Sequence, residues 1–145
     1  FWRKELRPDS GGAGRTRGGL GQIIEMGGEN DIPFDVLAMF ERVDNAPRGR
    51  HGGLDGHAGR VSLASGERLR PKGQQSIPHH DRLLLEMAGG GGFGDPYERP
   101  AEQVAEDVRN GIVTVERAKQ DYGVVVDEHG RLDSAATAAL REARP

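Results

Sequence analysis

The glycine-rich segment at 89–100, GGGGFGDPYERP, constrains the fold of this chain more than any other feature of its sequence. It joins an apolar, strand-like run at 82–88 to a helix that we expect to begin at Pro100. Each glycine loses extra backbone entropy on folding, so a cluster this dense needs a compensating reason, such as positive φ or close approach of another segment. We therefore predict a structured junction, with Gly91 or Gly94 at positive φ, rather than a flexible spacer. The predicted structural loop comprises Gly89, Gly90, Gly91, Gly92, Gly94 and Asp95.

The composition indicates a chain with little material for a core of its own. Only 34% of the 145 residues are hydrophobic and 23 are glycine, about twice the usual share of glycine. A chain of this length has room for one domain, and one this polar would be marginally stable alone. The first residue is Phe1, and no charged-then-apolar signal pattern follows it. We expect the chain to be a fragment of a longer protein.

Charge and cysteine content disfavour several classes of partner and chemistry. The chain has 20 basic and 23 acidic residues and a net charge of -3, which gives no sustained basic field of the kind that nucleic acid binding requires. No apolar run approaches the roughly 20 residues that a membrane span needs. The chain has no cysteine, which rules out disulfides and thiolate chemistry and fits a reducing compartment. We expect a soluble, cytoplasmic protein that binds neither nucleic acid nor membrane.

Short apolar runs separated by glycine clusters predict a β-rich part over residues 1–94. Residues 37–40 within it could equally form one helical turn, because their apolar pattern alternates imperfectly. The expected arrangement is a small antiparallel β assembly with long Gly-rich loops. The predicted strands cover 20–26, 34–43, 60–63 and 81–88.

The hydrophobic period changes after residue 94 and predicts a helical tail over residues 95–145. Apolar residues then recur at helical spacing until Asn110 and Gly111 supply a stop. Thr114 is a suitable N-cap for a second helix that ends at Gly123. The fold class is therefore α+β, with the β part followed by a helical hairpin and a terminal helix. The predicted helices cover 100–110, 115–122 and 134–144, with a brief strand at 124–126.

A dinucleotide fingerprint is formally present in the junction, since Gly89, Gly91 and Gly94 satisfy G-x-G-x-x-G after a strand. That motif works only if a helix begins within the loop, so that its amides and dipole meet the pyrophosphate. Here Asp95 follows the glycines and the helix waits until Pro100, which puts a carboxylate where phosphate would sit. The chain also lacks G-x-x-x-x-G-K-[ST]. We expect no nucleotide cofactor to be bound by this segment.

The candidate substrate-binding or interface residues are two arginines and two histidines in glycine-rich loops. Arg15 and Arg17 in GGAGRTRGGLG could clamp a carboxylate or phosphate, or could be solvated arginines in a glycine-shaped loop. His51 and His57 could bind a metal or shuttle protons, but turn residues account for them better. His79-His80 would point to opposite faces of a strand and would not share one ion. We therefore predict no metal site.

Paired carboxylates offer no persuasive acid/base pair. Asp95 and Glu98 flank Pro96, where turn chemistry and helix N-terminal charge explain them. Glu106 and Asp107 lie on a predicted helix, and we expect both to be solvated. No nucleophile elbow or serine-histidine constellation is present, so the sequence identifies no catalytic residue.

Several segments together resemble the C-terminal portion of the hydantoinase B/oxoprolinase family. The first, fourth and fifth are the most specific, and they occur in the family's order over nearly the whole chain. Family members are several times longer, so the resemblance also implies a fragment. The matching segments are RPDSGGAGRTRGGLGQ at 7–22, RGRHGGLDG at 48–56, PKGQQ at 71–75, DRLLLEMAGGGGFGDPYERP at 81–100 and DVRNGIVTVERAKQDYGVV at 107–125.

The resemblance implies a function that the residues alone do not. A hydantoinase A-type subunit would phosphorylate the amide carbonyl of a hydantoin or of 5-oxoproline with ATP, and the B-type subunit would help to hydrolyse the activated ring. ATP and a divalent metal would then belong to the full hetero-oligomeric complex. The expected partners are the A-type subunit and the N-terminal part of the same subunit, and this segment alone would be inactive.

Two alternatives remain open on the sequence. Related subunits serve ATP-dependent carboxylases of the acetone or acetophenone type, and this tail does not separate them from the hydrolases. The segment could also be a purely structural assembly module. Binding of the A-type partner without binding of any cyclic amide would indicate that role.

Overall fold

A computed structural model describes residues 1–29 and 32–144, and these form an α+β structure, as the sequence predicts. No helix in these ranges is both long and apolar enough to cross a bilayer. The strands are β1 (Arg3–Leu6), β2 (Gln22–Met26), β3 (Phe34–Met39), β4 (Arg60–Leu63), β5 (Lys72–Ile77) and β6 (Leu83–Glu86). The helices are α1 (Ala101–Arg109), α2 (Val115–Tyr122) and α3 (Ser134–Glu142), with a 3₁₀ turn at Pro96–Glu98 before α1.

The strands form two antiparallel sheets that share one hydrophobic core. The four-stranded sheet has the order β1-β2-β6-β4, and the two-stranded sheet pairs β3 with β5. Leu85 of the central β6 lies opposite Ile24 on one side and Val61 on the other. The core between the sheets consists of Val61, Leu63, Ile77, Leu83 and Leu85, all nearly inaccessible to solvent.

The prediction found four strands and missed two. The predicted run at 34–43 is a strand that ends at Met39, and no helical turn forms at 37–40. β1 was missed because its sequence RKEL is mostly charged and all four residues are exposed. β5 was missed because KGQQSI has one apolar residue, so its pairing with β3 rests on backbone hydrogen bonds rather than on a hydrophobic alternation.

The helices form where the sequence predicts them. The Thr114 hydroxyl accepts a hydrogen bond from the Arg117 amide and caps α2, which ends at Gly123 with φ of +61°. Asp133 caps α3 in the same way. The segment predicted as a brief strand at 124–126 makes an isolated bridge between Val126 and Leu132. The division at residue 94 into a β part and a tail stays a prediction. The core of the helices comprises Ala13, Val104, Ala105, Val113, Ala118, Tyr122, Val124 and Val126.

Candidate functional site

Three glycine-rich segments, 10–18, 49–57 and 89–94, lie side by side and hydrogen-bond through their backbones; we call them the glycine bundle. The Gly12 amide donates to the Gly90 carbonyl at 2.8 Å. The Leu54 amide donates to the Ala13 carbonyl at 2.7 Å, and the Gly92 amide to the Leu54 carbonyl at 2.9 Å. Backbone hydrogen bonds thus join each segment to another, although none of the three is a regular strand.

The bundle requires glycine because its backbones are too close for side chains. A Cβ atom at Gly91 would lie 2.2 Å from the Arg48 carbonyl oxygen, and one at Gly92 would lie 2.0 Å from that of Ala13. Positive φ is needed at Gly94 alone among the junction glycines, where φ is +75°. Close approach of the other segments is therefore the main reason for this glycine content.

Arg15 and His51 lie at one end of the bundle, on either side of Phe93. The His51 ring packs against the Phe93 ring with 4.8 Å between centroids, and both side chains are exposed. The Arg15 guanidinium is 3.8 Å from the Glu98 carboxylate, and this pair is also more than half exposed. This exposed end presents a cation, an imidazole and an aromatic ring on a rigid backbone, a combination suited to contacting a ligand or a partner.

His57 lies at the opposite end, where it contacts α2. Its Nε2 is 2.8 Å from Nη2 of Arg117. Because a guanidinium only donates, Nε2 accepts, and the proton of the neutral ring is assigned to Nδ1. Partial burial, reinforced by the Arg117 charge, lowers the pKa of His57. Both effects favour the neutral form of the imidazole.

Asp121 completes this cluster on the other side of Arg117. Its Oδ1 is 3.4 Å from Nη1 of Arg117, and burial raises the pKa of its carboxyl despite that cation. Asp9, at φ of 58°, turns its Oδ1 to the Thr114 amide at 2.9 Å and so ties the first glycine-rich segment to the start of α2. The adjoining cavity of about 10 Å³ has room for about one water molecule. The cluster can hold or pass a proton, and the cavity beside Asp121 is too small for a substrate.

Arg17 points inward and, together with Arg99, contacts the buried carboxylate of Asp107. The Asp107 carboxylate accepts from Arg99 Nη2 at 2.9 Å and from Arg17 Nε at 3.3 Å. The prediction that Asp107 is solvated is wrong, because the residue is buried between the two arginines, whereas its neighbour Glu106 is exposed. The signal was available: Asp107 follows Val104 by three residues and so lies next to the apolar face of α1. Burial also raises the pKa of Tyr122, in the same core, to about 12.

The Asp95 carboxylate of the junction is bonded to other groups of the protein. Asp95 Oδ1 accepts from the Tyr97 amide at 3.0 Å, and both carboxylate oxygens accept from Arg144 Nη1. The Tyr97 hydrogen bond, helped by Arg144, lowers the pKa of Asp95. The Tyr97 amide, at the start of the 3₁₀ turn where a phosphate would have to bind, is thus already bonded to the Asp95 carboxylate.

Among the described residues outside the cluster of His57 and Asp121, His129 lies 3.6 Å from the carboxylate of its neighbour Glu128 in an exposed turn. His79 and His80 lie in the turn before β6, with ring centroids 3.9 Å apart. Across residues 1–29 and 32–144, no three histidine, aspartate or glutamate side chains are grouped to hold a metal ion. The four candidates Arg15, Arg17, His51 and His57 therefore lie at three separate places, and a role in binding stays a prediction for each.

Comparison with known proteins gives one consistent relationship. The family model described as hydantoinase B/oxoprolinase matches residues 1–96. The beta chain of the caprolactamase from Pseudomonas jessenii is 36% identical over 97% of this chain and 26% of its own length. A protein named as the B component of a D-/L-hydantoinase, from Pseudomonas sp. strain NS671, is 32% identical over 97% of this chain and 24% of its own.

Solved structures agree with this relationship. The crystal structure of the ATP-dependent caprolactamase from Pseudomonas jessenii superposes with a TM-score of 0.76 at 30% identity, over 98% of this chain and 26% of that one. A nucleotide-free acetone carboxylase superposes with a TM-score of 0.64 at 25% identity, over 96% of this chain and 24% of that one. The chain thus spans about a quarter of the length of each of these four relatives.

Proposed function

Because the chain belongs to the hydantoinase B/oxoprolinase family, we propose that it is the C-terminal part of one subunit of an ATP-dependent enzyme that hydrolyses cyclic amides. The observation that carries this proposal is the match along nearly the whole sequence, in residues to the caprolactamase beta chain and in backbone to a caprolactamase crystal structure. The substrate class is a lactam-type ring, such as a hydantoin or 5-oxoproline. The proposed location is the cytoplasm, which a chain without cysteine fits.

In this proposal a hydantoinase A-type subunit uses ATP to phosphorylate the amide carbonyl oxygen, and the subunit that contains this chain promotes attack of water on the activated ring. The geometry supports a structural rather than a catalytic role for this segment within the subunit. Its junction amide is bonded to Asp95, and the cavity beside Asp121, where burial raises the carboxyl pKa, has room for about one water molecule. The exposed end with Arg15 and His51 is the part that would meet substrate or the partner subunit.

The divalent metal that the family resemblance implies does not fit the described residues. Such a metal needs several oxygen or nitrogen ligands at one place, and no group of three candidate ligands occurs in this part of the chain. We assign its ligands to the remainder of the complex and derive no step through the metal here.

Exposed apolar side chains support one surface as the place where the rest of the subunit would pack. β1 is an edge strand of the four-stranded sheet, and Phe1 and Trp2 just before it are 85% and 68% exposed. Leu37 and Met39 project from the outer face of β3, with exposures of 75% and 74%. An unpaired edge and apolar side chains of this size are usually covered in a complete protein.

The acetone carboxylase superposition supports a second candidate function, in which the same parts serve ATP-dependent carboxylation of a ketone. The lower TM-score and identity favour the hydrolase. A purely structural role in assembly is the third possibility.

The test is reconstitution of a subunit that contains this chain with an A-type partner. We expect ATP-dependent opening of caprolactam, a hydantoin or 5-oxoproline, and no incorporation of labelled bicarbonate into acetone. Arg15→Gln and His51→Gln are expected to lower that activity, while Arg68→Gln, an exposed arginine on the β4–β5 loop, should leave it unchanged.

Each alternative gives a different result in the same assays. Bicarbonate incorporation without ring opening would replace the hydrolase by the carboxylase. Tight binding of the A-type partner by the 145-residue chain, with Arg15→Gln and His51→Gln fully active, would reduce this segment to an assembly module. Ring opening by the purified chain alone would contradict the view that it lacks a complete active site.

A further inference from the structure

A cationic pocket lies in the loop between β3 and the second segment of the glycine bundle. The loop at 41–50 lines a depression of about 740 Å³ on the protein surface. Its charged lining comprises Arg42, Arg48 and Arg50, with the single acidic residue Glu41. Asn45 and Pro47 complete the part of the lining that matters here. A depression of this size is within the range of small-molecule binding sites.

The positive charge of the cationic pocket is only partly neutralised by the protein around it: Glu41 is close enough to Arg42 for the two charges to attract. No carboxylate of the described residues lies within salt-bridge distance of the three guanidinium groups; Arg50 Nη1 donates only to the Gly49 carbonyl, at 3.1 Å. The carboxylate of Glu41 is bonded to the Lys72 ammonium group. By contrast, Arg17, Arg99 and Arg144 each have a carboxylate partner.

The backbone that carries these arginines is fixed at several points. The Arg42 carbonyl accepts from the Gly59 amide at 2.8 Å, and the Pro47 carbonyl accepts from the Gly56 amide at 2.9 Å. The Arg50 amide donates to the Gly92 carbonyl at 2.9 Å, so this residue is part of the glycine bundle. Arg42 is held at φ of +61°, a conformation that a bulky residue adopts rarely. Such backbone outliers are concentrated at functional sites.

We propose that the cationic pocket binds a small molecule carrying a phosphate or pyrophosphate group. Three guanidinium groups at one depression match an anion with two or more negative charges better than a single carboxylate, and the guanidinium fork matches phosphate oxygens in pairs. The concave shape favours a small ligand over the flat surface of a protein. Three arginines on a chain with a net charge of -3 do not form the long basic track that nucleic acid requires.

The test uses the purified 145-residue chain and pyrophosphate as the probe. Calorimetric titration at low salt should give one site, and the backbone amide and arginine Nε resonances of the 41–50 loop should shift in NMR spectra. Arg42→Gln and Arg48→Gln should each weaken binding about tenfold or more, because each substitution removes one charged guanidinium group that would donate hydrogen bonds to the ligand. Arg68→Gln should change it less than about twofold, because this exposed arginine lies outside the lining.

Four results would overturn the proposal. The first is that the folded chain does not bind pyrophosphate at millimolar concentration, and the second is that Arg68→Gln weakens binding as much as the pocket variants do. The third is that citrate binds as tightly as pyrophosphate. The fourth is that pyrophosphate does not bind while a polyglutamate peptide binds in a way that depends on Arg42 and Arg48. The last result would make the pocket a protein interface. Since none of these measurements uses ring opening, failure here leaves the proposed function standing.

Discussion

Replacing Gly92 by alanine should destabilise the protein severely, and this substitution tests the close packing of the glycine bundle. The added Cβ would lie 2.0 Å from the Ala13 carbonyl oxygen and 2.7 Å from that of Gly12. Both neighbours are backbone atoms, which cannot rotate away as a side chain can. The segments must therefore separate, which endangers the hydrogen bond from Gly92 to Leu54 and that from Arg50 to Gly92, each 2.9 Å long.

The magnitude follows from these two effects. Overpacking that forces backbone shifts costs about 1 to 3 kcal/mol, and each lost backbone hydrogen bond costs about 1 kcal/mol, so we expect a loss of about 3 to 5 kcal/mol. This is a large part of the stability of a small domain, about 5 to 15 kcal/mol. The matched control is Gly19→Ala, because nothing lies within 4 Å of a Cβ at Gly19 and its φ is not positive. That change should be neutral or should stabilise by up to about 1 kcal/mol, since alanine reduces the entropy of the unfolded chain.

Urea denaturation followed by far-ultraviolet circular dichroism measures both variants. The comparison requires the slope of unfolding free energy against urea to be the same in both, so that a lower midpoint means a less stable folded state. If Gly92→Ala and Gly19→Ala differ by less than about 0.5 kcal/mol, the bundle tolerates side chains and the explanation of its glycines is refuted.

Three further predictions concern charge and association. Asp107→Asn should destabilise by about 3 to 5 kcal/mol in the same denaturation assay, because it leaves the partly buried Arg17 and Arg99 guanidinium groups without their charged partner. The control Glu106→Gln, on the exposed face of α1, should change stability by less than about 0.5 kcal/mol. The pKa of His57 is below its ordinary value of about 6.5, so the contribution of His57 to stability is present above that pH and is lost as the pH falls below it. His57→Gln should therefore make the free energy of unfolding fall less at acid pH. The control His129→Gln, at an exposed turn, should leave that loss of stability unchanged. The chain alone should self-associate through the β1 edge and its exposed apolar residues. Trp2→Lys should therefore increase the monomer fraction in size-exclusion chromatography with light scattering. An unchanged monomer fraction would contradict this surface assignment.

The sequence predicted those features of the fold that depend on local signals. The caps at Thr114 and Gly123 lie within one helical turn of the groups they bond, so a residue pattern is enough to place α2. β1 and β5 depend instead on backbone pairing with β2 and β3, which any residue type can make, so their polar sequences gave no signal.

The candidate site was less accessible from the sequence for the same reason. The large number of glycines in a short segment indicated by itself that they are structural. What each glycine approaches depends on segments far away in the chain, as Gly91 and the Arg48 carbonyl illustrate. The pairing of Arg17 with Asp107 joins residues 90 positions apart, and that of His57 with Arg117 joins residues 60 positions apart. No local pattern encodes either contact.

The glycine bundle depends on the structures at its two sides, because it has almost no apolar side chains of its own to bury. The hydrophobic effect that holds it must come from the β core on one side and from the helical core, which includes Ala13, on the other. Polar contacts then fix its position: Asp9 bonds the Thr114 amide, and His57 contacts Arg117. A backbone fixed in this way from both sides presents Arg15 and His51 at its exposed end with little freedom, and such preorganisation reduces the entropy lost when a ligand or partner binds.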